Sequence, residues 1–319
     1  MLTAIVVAFL ASWMTLALLP RTRFARSVLD VPNDRSLHSI TVPRIGGIGI
    51  AAGIGLASLA TTGLDPVLVW AAAGYLLLFA VSLLDDAWSL PVSVRLVAHL
   101  LAAGLWTWAL HVPPQWFLLS VLAIVWACNL YNFMDGADGL AGGMTVFGFA
   151  TLSAASVYAN QLALAALCAG VTAAAVAFLI YNVHPASMFM GDSGSVPLGF
   201  LAAAIGLYGT QRDHWPALLS LFAFFPFVFD ATYTLMARVL RGRKPWEAHK
   251  EHLYQRLVQR GLGHRKMAGL AYVVMAVCQL CALATLRLPS AGQFALLTMV
   301  VGLSVLAAGR ITRGHRAQA

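Results

Sequence analysis

Asn129-Leu-Tyr-Asn132-Phe-Met-Asp135-Gly-Ala-Asp138-Gly-Leu140 closes a hydrophobic run that begins near residue 115. Two amides and two carboxylates stand there at strict three-residue spacing. On an α-helix, steps of three keep neighbours close with a drift of roughly 60° per step, and in a 3₁₀ turn they fall on one line. Either arrangement aims a band of oxygen donors at one spot. Such donors suit Mg²⁺ or Mn²⁺ rather than zinc. Ionisable groups at a membrane segment are costly to keep, so carboxylates at the end of an apolar run point to function.

The rest of the chain makes that apolar run one of many. Of 319 residues, 60% are hydrophobic and 10% charged, and mean hydropathy is +0.80. Soluble domains carry about 25% charge. The reading is an all-α, polytopic membrane bundle in a single domain, 1–319, with no soluble appendage. Eleven runs approach membrane-spanning length: 2–20, 45–62, 67–84, 95–111, 115–132, 143–159, 162–182, 195–210, 216–237, 267–286 and 291–309. Some are short, so the expected count is ten or eleven. The first run has no basic region before it and no small-residue cleavage site before Arg21, and is read as a span. Gly49, Gly53 and Ala57 in the second run predict close helix packing.

Basic residues set the orientation. The loops 21–44, 85–95, 133–142, 183–194 and 238–266, with the tail 310–319, hold 18 of the 20 Lys and Arg residues. Only Arg212 and Arg287 fall on the other side. The basic loops are therefore expected in the cytoplasm, with the N-terminus outside and the C-terminus inside. The net charge of +8 then belongs to one membrane face. Its expected partners are anionic lipid head groups and phosphorylated substrates, not nucleic acid. All four cysteines lie within spans, and Cys278-x-x-Cys281 lacks a second pair, so core packing is expected.

The polar constellations gather on the same face. The first loop carries Asp30, Asp34, Arg35 and His38, then Pro43-Arg44-Ile-Gly46-Gly47. The third span ends in Asp85-Asp86, the fifth in the Asn132, Asp135 and Asp138 run. The seventh ends in Tyr181-Asn182-Val-His184-Pro185, followed by Phe189-Met-Gly-Asp192-Ser-Gly-Ser195. The last loop carries His249-Lys-Glu251-His252-Leu-Tyr254-Gln-Arg256. Each has a plainer reading: an ordinary basic loop, a solvated helix end, an Asx-capped turn or a helix N-cap. Asp230, inside the ninth run, reads as a structural hydrogen bond or as a group on a polar path. His99 reads as a helix-helix contact. Five acidic residues at three helix ends, on the face of the basic loops, suit phosphoryl transfer.

Five of these motifs, in this order, resemble the polyprenyl-phosphate N-acetylhexosamine-1-phosphate transferases, the MraY/WecA group. They are Pro43–Gly47, Asp85-Asp86, Asn132–Leu140, Phe189–Ser195 and His249–Arg256. The resemblance implies transfer of HexNAc-1-phosphate from a UDP-sugar to undecaprenyl phosphate, with Mg²⁺ (Mn²⁺ as a substitute), at the bacterial inner membrane. It implies that Asp192 is the main metal ligand, with Asp85 beside it. Asp85 or Asp86 would take the lipid-phosphate proton or position that phosphate. Asp135 and Asp138 would join the catalytic centre. Asn132, Asn182 and Arg44 would touch substrate, Phe189 would stack on uracil, and His249, His252 and Arg256 would hold the nucleotide-sugar. One-step transfer and a covalent aspartyl intermediate are both open, as is a homodimer. The His-x-x-His-Leu-Tyr-Gln-Arg form looks more like initiators of O-antigen and other surface polysaccharides than like the peptidoglycan branch, with 6-deoxy-HexNAc donors among the options. A transporter or lipid flippase with a carboxylate-lined path is the alternative class. No internal repeat supports it, and nearly all the acids sit on one face.

The charge split makes a direct prediction. Cysteines at Ser39 and Ala248 should resist an impermeant thiol reagent in whole cells and react in inside-out vesicles. The opposite pattern would invert the orientation.

Overall fold

A computed structural model describes residues 1–32, 40–244, 247 and 249–316, without the side chains of Arg26 and 314–316. Asp34, Arg35, His38, Ser39 and Ala248, named above, lie outside the described residues. The helices in chain order are α1 (Leu2–Leu18), α2 (Gly46–Ala60), α3 (Leu68–Trp88), α4 (Val92–Ala109), α5 (Pro114–Phe133), α6 (Leu140–Tyr158) and α7 (Leu162–Asn182). They continue as α8 (Asp192–Gln211), α9 (Ala217–Ala223), α10 (Phe225–Val239), α11 (Leu253–Leu257), α12 (Gly263–Ala284) and α13 (Ser290–Arg316). Strands β1 (Leu29–Asp30) and β2 (Val42–Pro43) pair antiparallel, Leu29 opposite Pro43. This is an all-α polytopic membrane fold.

Every expected apolar run coincides with a helix. Among the described residues, eight helices are long and apolar enough to cross a membrane, and α9 with α10 make a ninth if the bent pair counts as one span. The run 216–237 is not the continuous span expected: it bends by 79° between Ala223 and Phe225. Pro226 sits in the first turn of α10, where it lacks the N–H needed to continue a helix from α9 and favours a helix start instead. α2 is only 15 residues long.

Loop boundaries also move. α3 runs through Asp85 and Asp86 to Trp88, where Ser89 takes a left-handed conformation (φ 52°) and ends it. The expected loop 85–95 therefore shrinks to three residues, and the paired aspartates stand on the last turn of a helix. α6 starts at Leu140, so the loop 133–142 contracts to a turn at 134–139.

α8 is the buried helix at the centre, packed on α3 and α5 and in contact with α2 and α6. On the other side α2 nests between α1 and α7. A side-chain carbon at Gly53 would meet the Cβ of Ala174 at 2.7 Å and the carbonyl oxygen of Ala8 at 2.7 Å. Ser12 donates to the Ala174 carbonyl at 3.0 Å, tying α1 to α7 across the same gap. The small-residue stripe predicted for the second span thus does the packing expected of it.

Overpacking this contact forces backbone shifts costing about 1–3 kcal/mol. Gly53→Val should therefore lower the melting temperature in detergent by several degrees, whereas Gly55→Val, at a position open to its surroundings, should be near neutral. Equal effects would refute the α1–α2–α7 packing.

Candidate active site

The site is built around the head of α8. Gly191 precedes it with φ 75° and ψ 171°, a conformation that L side chains rarely adopt. A Cβ here would lie 2.9 Å from Asp86 Oδ2. The Asp86 carboxylate, from the end of α3, occupies that space. Its two oxygens accept the backbone N–H groups of Asp192 and Ser193 at 3.0 and 2.9 Å. A carboxylate at a helix N-terminus is favoured by both unpaired N–H groups and the helix dipole.

The first-loop motif is stitched to the same point. Phe189 N–H donates to Pro43 O at 3.0 Å, and Gly46 and Gly47 N–H donate to Phe189 O and Met190 O at 2.9 and 2.8 Å. This brings Arg44 beside the acids, its guanidinium paired with Asp30 at 2.6 Å. From α4, Arg95 Nη1 lies 2.8 Å from Asp85 and 3.7 Å from Asp192. Asn132, near the end of α5, donates to Ser195 Oγ at 3.3 Å and also to Asp192.

Electrostatics single out three groups. Burial, with repulsion from Asp192 and Asp86, raises the Asp135 carboxyl well above the ordinary carboxylate range. Burial and Asp86 push Asp192, at the head of α8, up to about 7. Burial raises the Asp86 carboxyl as well, against the opposing hydrogen bonds from Ser193 and Asp192. Both oxygens of Asp85 and of Asp86 are engaged in hydrogen bonds. Asp85 accepts Leu90 N–H at 2.6 Å as well as Arg95. Three carboxylates facing one another with too little positive charge are a donor set that fits a divalent cation of the Mg²⁺ or Mn²⁺ class. Asp192 and Asp135 are the residues placed to hold it.

A cavity of about 450 Å³ opens onto this cluster. Asp192, Asn132, Arg95, His249 and His252 line its polar part, and Leu78, Val81, Leu96 and Val196 its apolar part. His249 and His252 rings lie 4.9 Å apart, and burial together with His252 lowers His249 to about 4. Asp230 of α10 positions this pair. It accepts Leu253 and Tyr254 N–H at 2.9 and 3.1 Å and lies 3.3 Å from His252 Nδ1. The structural reading of Asp230 is the one observed.

Not every expected residue reaches the cavity. The three-residue spacing does not aim all four donors at one spot, because the α5 helix ends at Phe133. Asn129 reaches the cavity wall together with His99, but its amide donates back to Val125 O at 2.7 Å and lies 3.4 Å from His99, away from the carboxylates. Asp138 faces His184 at 2.6 Å and His264 at 3.7 Å. Asn182 is buried between Gly139 N–H (3.0 Å) and Met188 O (2.9 Å), a brace for the turn. Arg256 binds Glu251, which also pairs with Arg238 and Arg241. His99 is the helix-helix contact expected.

Arg95, His184 and His264 were not assigned from sequence. Arg95 had a signal: a cation in the first turn of an apolar helix opposes the dipole and needs an acidic partner. The two histidines had none, being 80 residues apart in the chain.

Comparison with known proteins agrees with this architecture. Residues 68–210 match the family described as Glycosyl transferase family 4. A probable undecaprenyl-phosphate N-acetylglucosaminyl 1-phosphate transferase of Bacillus subtilis (strain 168) is 28% identical over 85% of this chain and 82% of its own length. The undecaprenyl-phosphate alpha-N-acetylglucosaminyl 1-phosphate transferase of Yersinia pestis is 27% identical over 83% and 79%. A decaprenyl-phosphate N-acetylglucosaminephosphotransferase of Mycolicibacterium smegmatis is 29% identical over 97% and 86%. Fold, site and relatives together define a multi-pass membrane phosphosugar transferase. The chain is thus similar, over most of its length, to polyprenyl-phosphate N-acetylglucosamine-1-phosphate transferases.

The raised carboxyls carry a sign. Between the ordinary value near 3.8 and about 7, the Asp192 carboxyl holds a proton that the unfolded chain has released, and the raised Asp135 carboxyl acts in the same direction. Stability from these groups is therefore present at low pH and lost as pH rises through that window. In chelator, the melting temperature of wild type relative to Asp135→Asn should fall from pH 5 to pH 8, and Mg²⁺ should remove the difference. A difference that stays constant with pH would count against a charge-deficient site.

Proposed function

We propose that this protein transfers HexNAc-1-phosphate from a UDP-sugar to undecaprenyl phosphate, giving undecaprenyl-diphosphate-sugar and UMP. The lipid phosphate oxygen attacks the β-phosphorus, the bond from that phosphorus to the bridging oxygen breaks, and UMP leaves with that oxygen. The supporting observation is that Asp192 and Arg95 line a cavity that is polar at one end and apolar at the other, with Asp86, Asp135 and Arg44 close enough to act electrostatically on or beside Asp192. The apolar end suits the first isoprene units of the acceptor, the polar end a nucleotide diphosphate.

The roles follow from which atoms are free. Asp192 and Asp135 would hold Mg²⁺, which when bound neutralises diphosphate oxygens. Asp85 orients Arg95, and Arg95 points at the same oxygens as a fixed cation. Asp86 fixes the head of α8. Asp135, whose carboxylate has no hydrogen-bond partner among the described residues, keeps its oxygens available for the ion. The acceptor's phosphate ionises near neutrality, so positioning and charge contribute more than base catalysis. Direct displacement is preferred because both oxygens of Asp85 and of Asp86 are engaged. His249, which burial keeps neutral, and His252 would bond the sugar or the diphosphate.

The reaction is read at the cytoplasmic side of a bacterial inner membrane, where the basic loops lie and UDP-sugars occur. The product would begin an O-antigen or other surface polysaccharide. The relatives' names make UDP-N-acetylglucosamine the first donor to try, with UDP-N-acetyl-6-deoxyhexosamines next.

Purified protein with Mg²⁺ should form radiolabelled lipid from undecaprenyl phosphate and one of these donors. Asp192→Asn should keep its elution profile and lose about 100-fold or more in kcat/KM. His252→Ala should raise KM for the UDP-sugar with little change for lipid. No labelled lipid from any UDP-HexNAc, or full activity in EDTA, would sink the reading and return the transporter class.

A further inference from the structure

We propose that His99 binds the phosphate of the lipid acceptor, as a neutral N–H donor set one helical turn deeper in the membrane than Arg95. The inference rests on the acceptor proposed above and names a further residue that would hold it. Arg95 and His99 are four residues apart on α4, so they share one face about 6 Å apart along the axis. Both line the cavity that opens onto Asp192. Arg95 stands at the polar end, 3.7 Å from Asp192. α3 and α4 run antiparallel away from the Asp85–Arg95 pair. Val81, four residues back from Asp85, and His99, four residues on from Arg95, therefore come to about the same depth. His99 is a polar group among the apolar walls.

The hydrogen bonds of Asn129 set the position of the imidazole proton. Asn129 Nδ2 donates to the Val125 carbonyl at 2.7 Å, which identifies it as the amide nitrogen. Its other hydrogen goes toward His99 Nδ1 at 3.4 Å. Nδ1 is then the acceptor nitrogen, and the ring proton sits on Nε2. His99 is 7% exposed, and Nε2 has no hydrogen-bond partner among the described residues. Nor is Nε2 one of the polar atoms that the protein walls off. Its N–H therefore opens on the cavity that the ring lines. An unpaired donor at membrane depth is costly to keep, and a ligand oxygen would offset that cost.

Two requirements define the ligand. Its oxygen must belong to a molecule with an apolar body, because Leu78, Val81 and Leu96 form the walls beside His99. The same group must also come within reach of Arg95, because the two donors share a face. A phosphate monoester on an isoprenoid chain meets both: its oxygens accept from a guanidinium on one side and from an imidazole N–H on the other. A UDP-sugar has the phosphates and lacks the apolar part that would fill the deep end. A neutral donor also suits the depth. A second cation beside Arg95 would lose its hydration there, whereas a neutral N–H bonds the phosphate without that loss.

The test measures binding of undecaprenyl phosphate to full-length protein in detergent, without donor, from the melting-temperature shift over a concentration series. Undecaprenol and inorganic phosphate control for chain and head group alone. His99→Ala and His99→Phe should each weaken undecaprenyl phosphate at least about tenfold, as expected for a hydrogen bond to a charged group. His99→Gln, which restores an N–H donor, should recover most of that loss. Undecaprenol, which lacks the phosphate, should bind wild type and all three variants alike. In turnover, His99→Ala should raise KM for the lipid and leave KM for the UDP-sugar within about twofold. If His99→Ala does not fold, His99→Phe against His99→Gln carries the same comparison. No binding of undecaprenyl phosphate to wild type, unchanged binding in His99→Phe, equal losses for undecaprenyl phosphate and undecaprenol, or a rise in KM for the UDP-sugar instead, would overturn the assignment. Wild type that binds undecaprenyl phosphate through His99 yet forms no labelled lipid would sink the proposed reaction and leave this contact standing.

Discussion

The capping of α8 by Asp86 is the contact on which the site depends. It joins the end of one helix to the start of another through two hydrogen bonds, 3.0 and 2.9 Å long. A carboxylate is the right group because the α8 N-terminus presents unpaired N–H donors and positive dipole at once. Gly191 is the right neighbour because its left-handed φ and missing Cβ leave room for the carboxylate. With α8 so fixed, Asp192 has one direction to point, toward Asn132, Asp135 and Arg95. The arrangement concentrates negative charge, and that concentration is what makes the site receptive to a divalent cation.

A second fixed point lies on the other side of the cavity. Asp230 caps α11 in the same manner, accepting Leu253 and Tyr254 N–H while lying against His252. Tyr254 then reaches the Phe133 carbonyl at 3.1 Å, closing the last loop onto the end of α5. Glu251 faces away from the cavity and gathers Arg238, Arg241 and Arg256. Burial pushes its carboxyl up, but Arg241 and Arg238 outweigh that and hold it below the usual range, the reverse of Asp135 and Asp192. The difference is one of charge balance: an acid among cations is held low, and buried acids facing acids are pushed up.

Helix positions were legible in the sequence because lipid-facing and core-facing residues are both apolar, so each span reads as a plain run. What escaped were local breaks. The 79° bend at Phe224 follows from one proline inside a run that otherwise scans as a single span. The extension of α3 through Asp85 and Asp86 escaped because acids look like loop residues until their partners on α4 and α8 are known. The site was legible where motif residues take their partners from the head of α8, as Asn132 and Asp86 do. It was not legible where a polar residue serves the backbone instead. Asn182 and Arg256 have the chemistry of ligand-binding groups, yet their hydrogen bonds go to Gly139, Met188 and Glu251. Spacing alone cannot tell the two uses apart.

The turn 134–139 shows why. A rigid helix would have carried Asp135 and Asp138 to neighbouring places on one face. Ending the helix at Phe133 frees the next residues to take separate directions within a few ångströms of chain. Asp135 stays with the carboxylates, and Asp138 swings to the two histidines. The Gly139 N–H and carbonyl are then held by Asn182 and Tyr272 at 3.0 and 2.8 Å. Two acids three residues apart therefore work in different electrostatic settings, one among other carboxylates and one flanked by imidazoles. The turn couples them mechanically, since any shift of Asp138 against its histidines moves the backbone from which Asp135 projects.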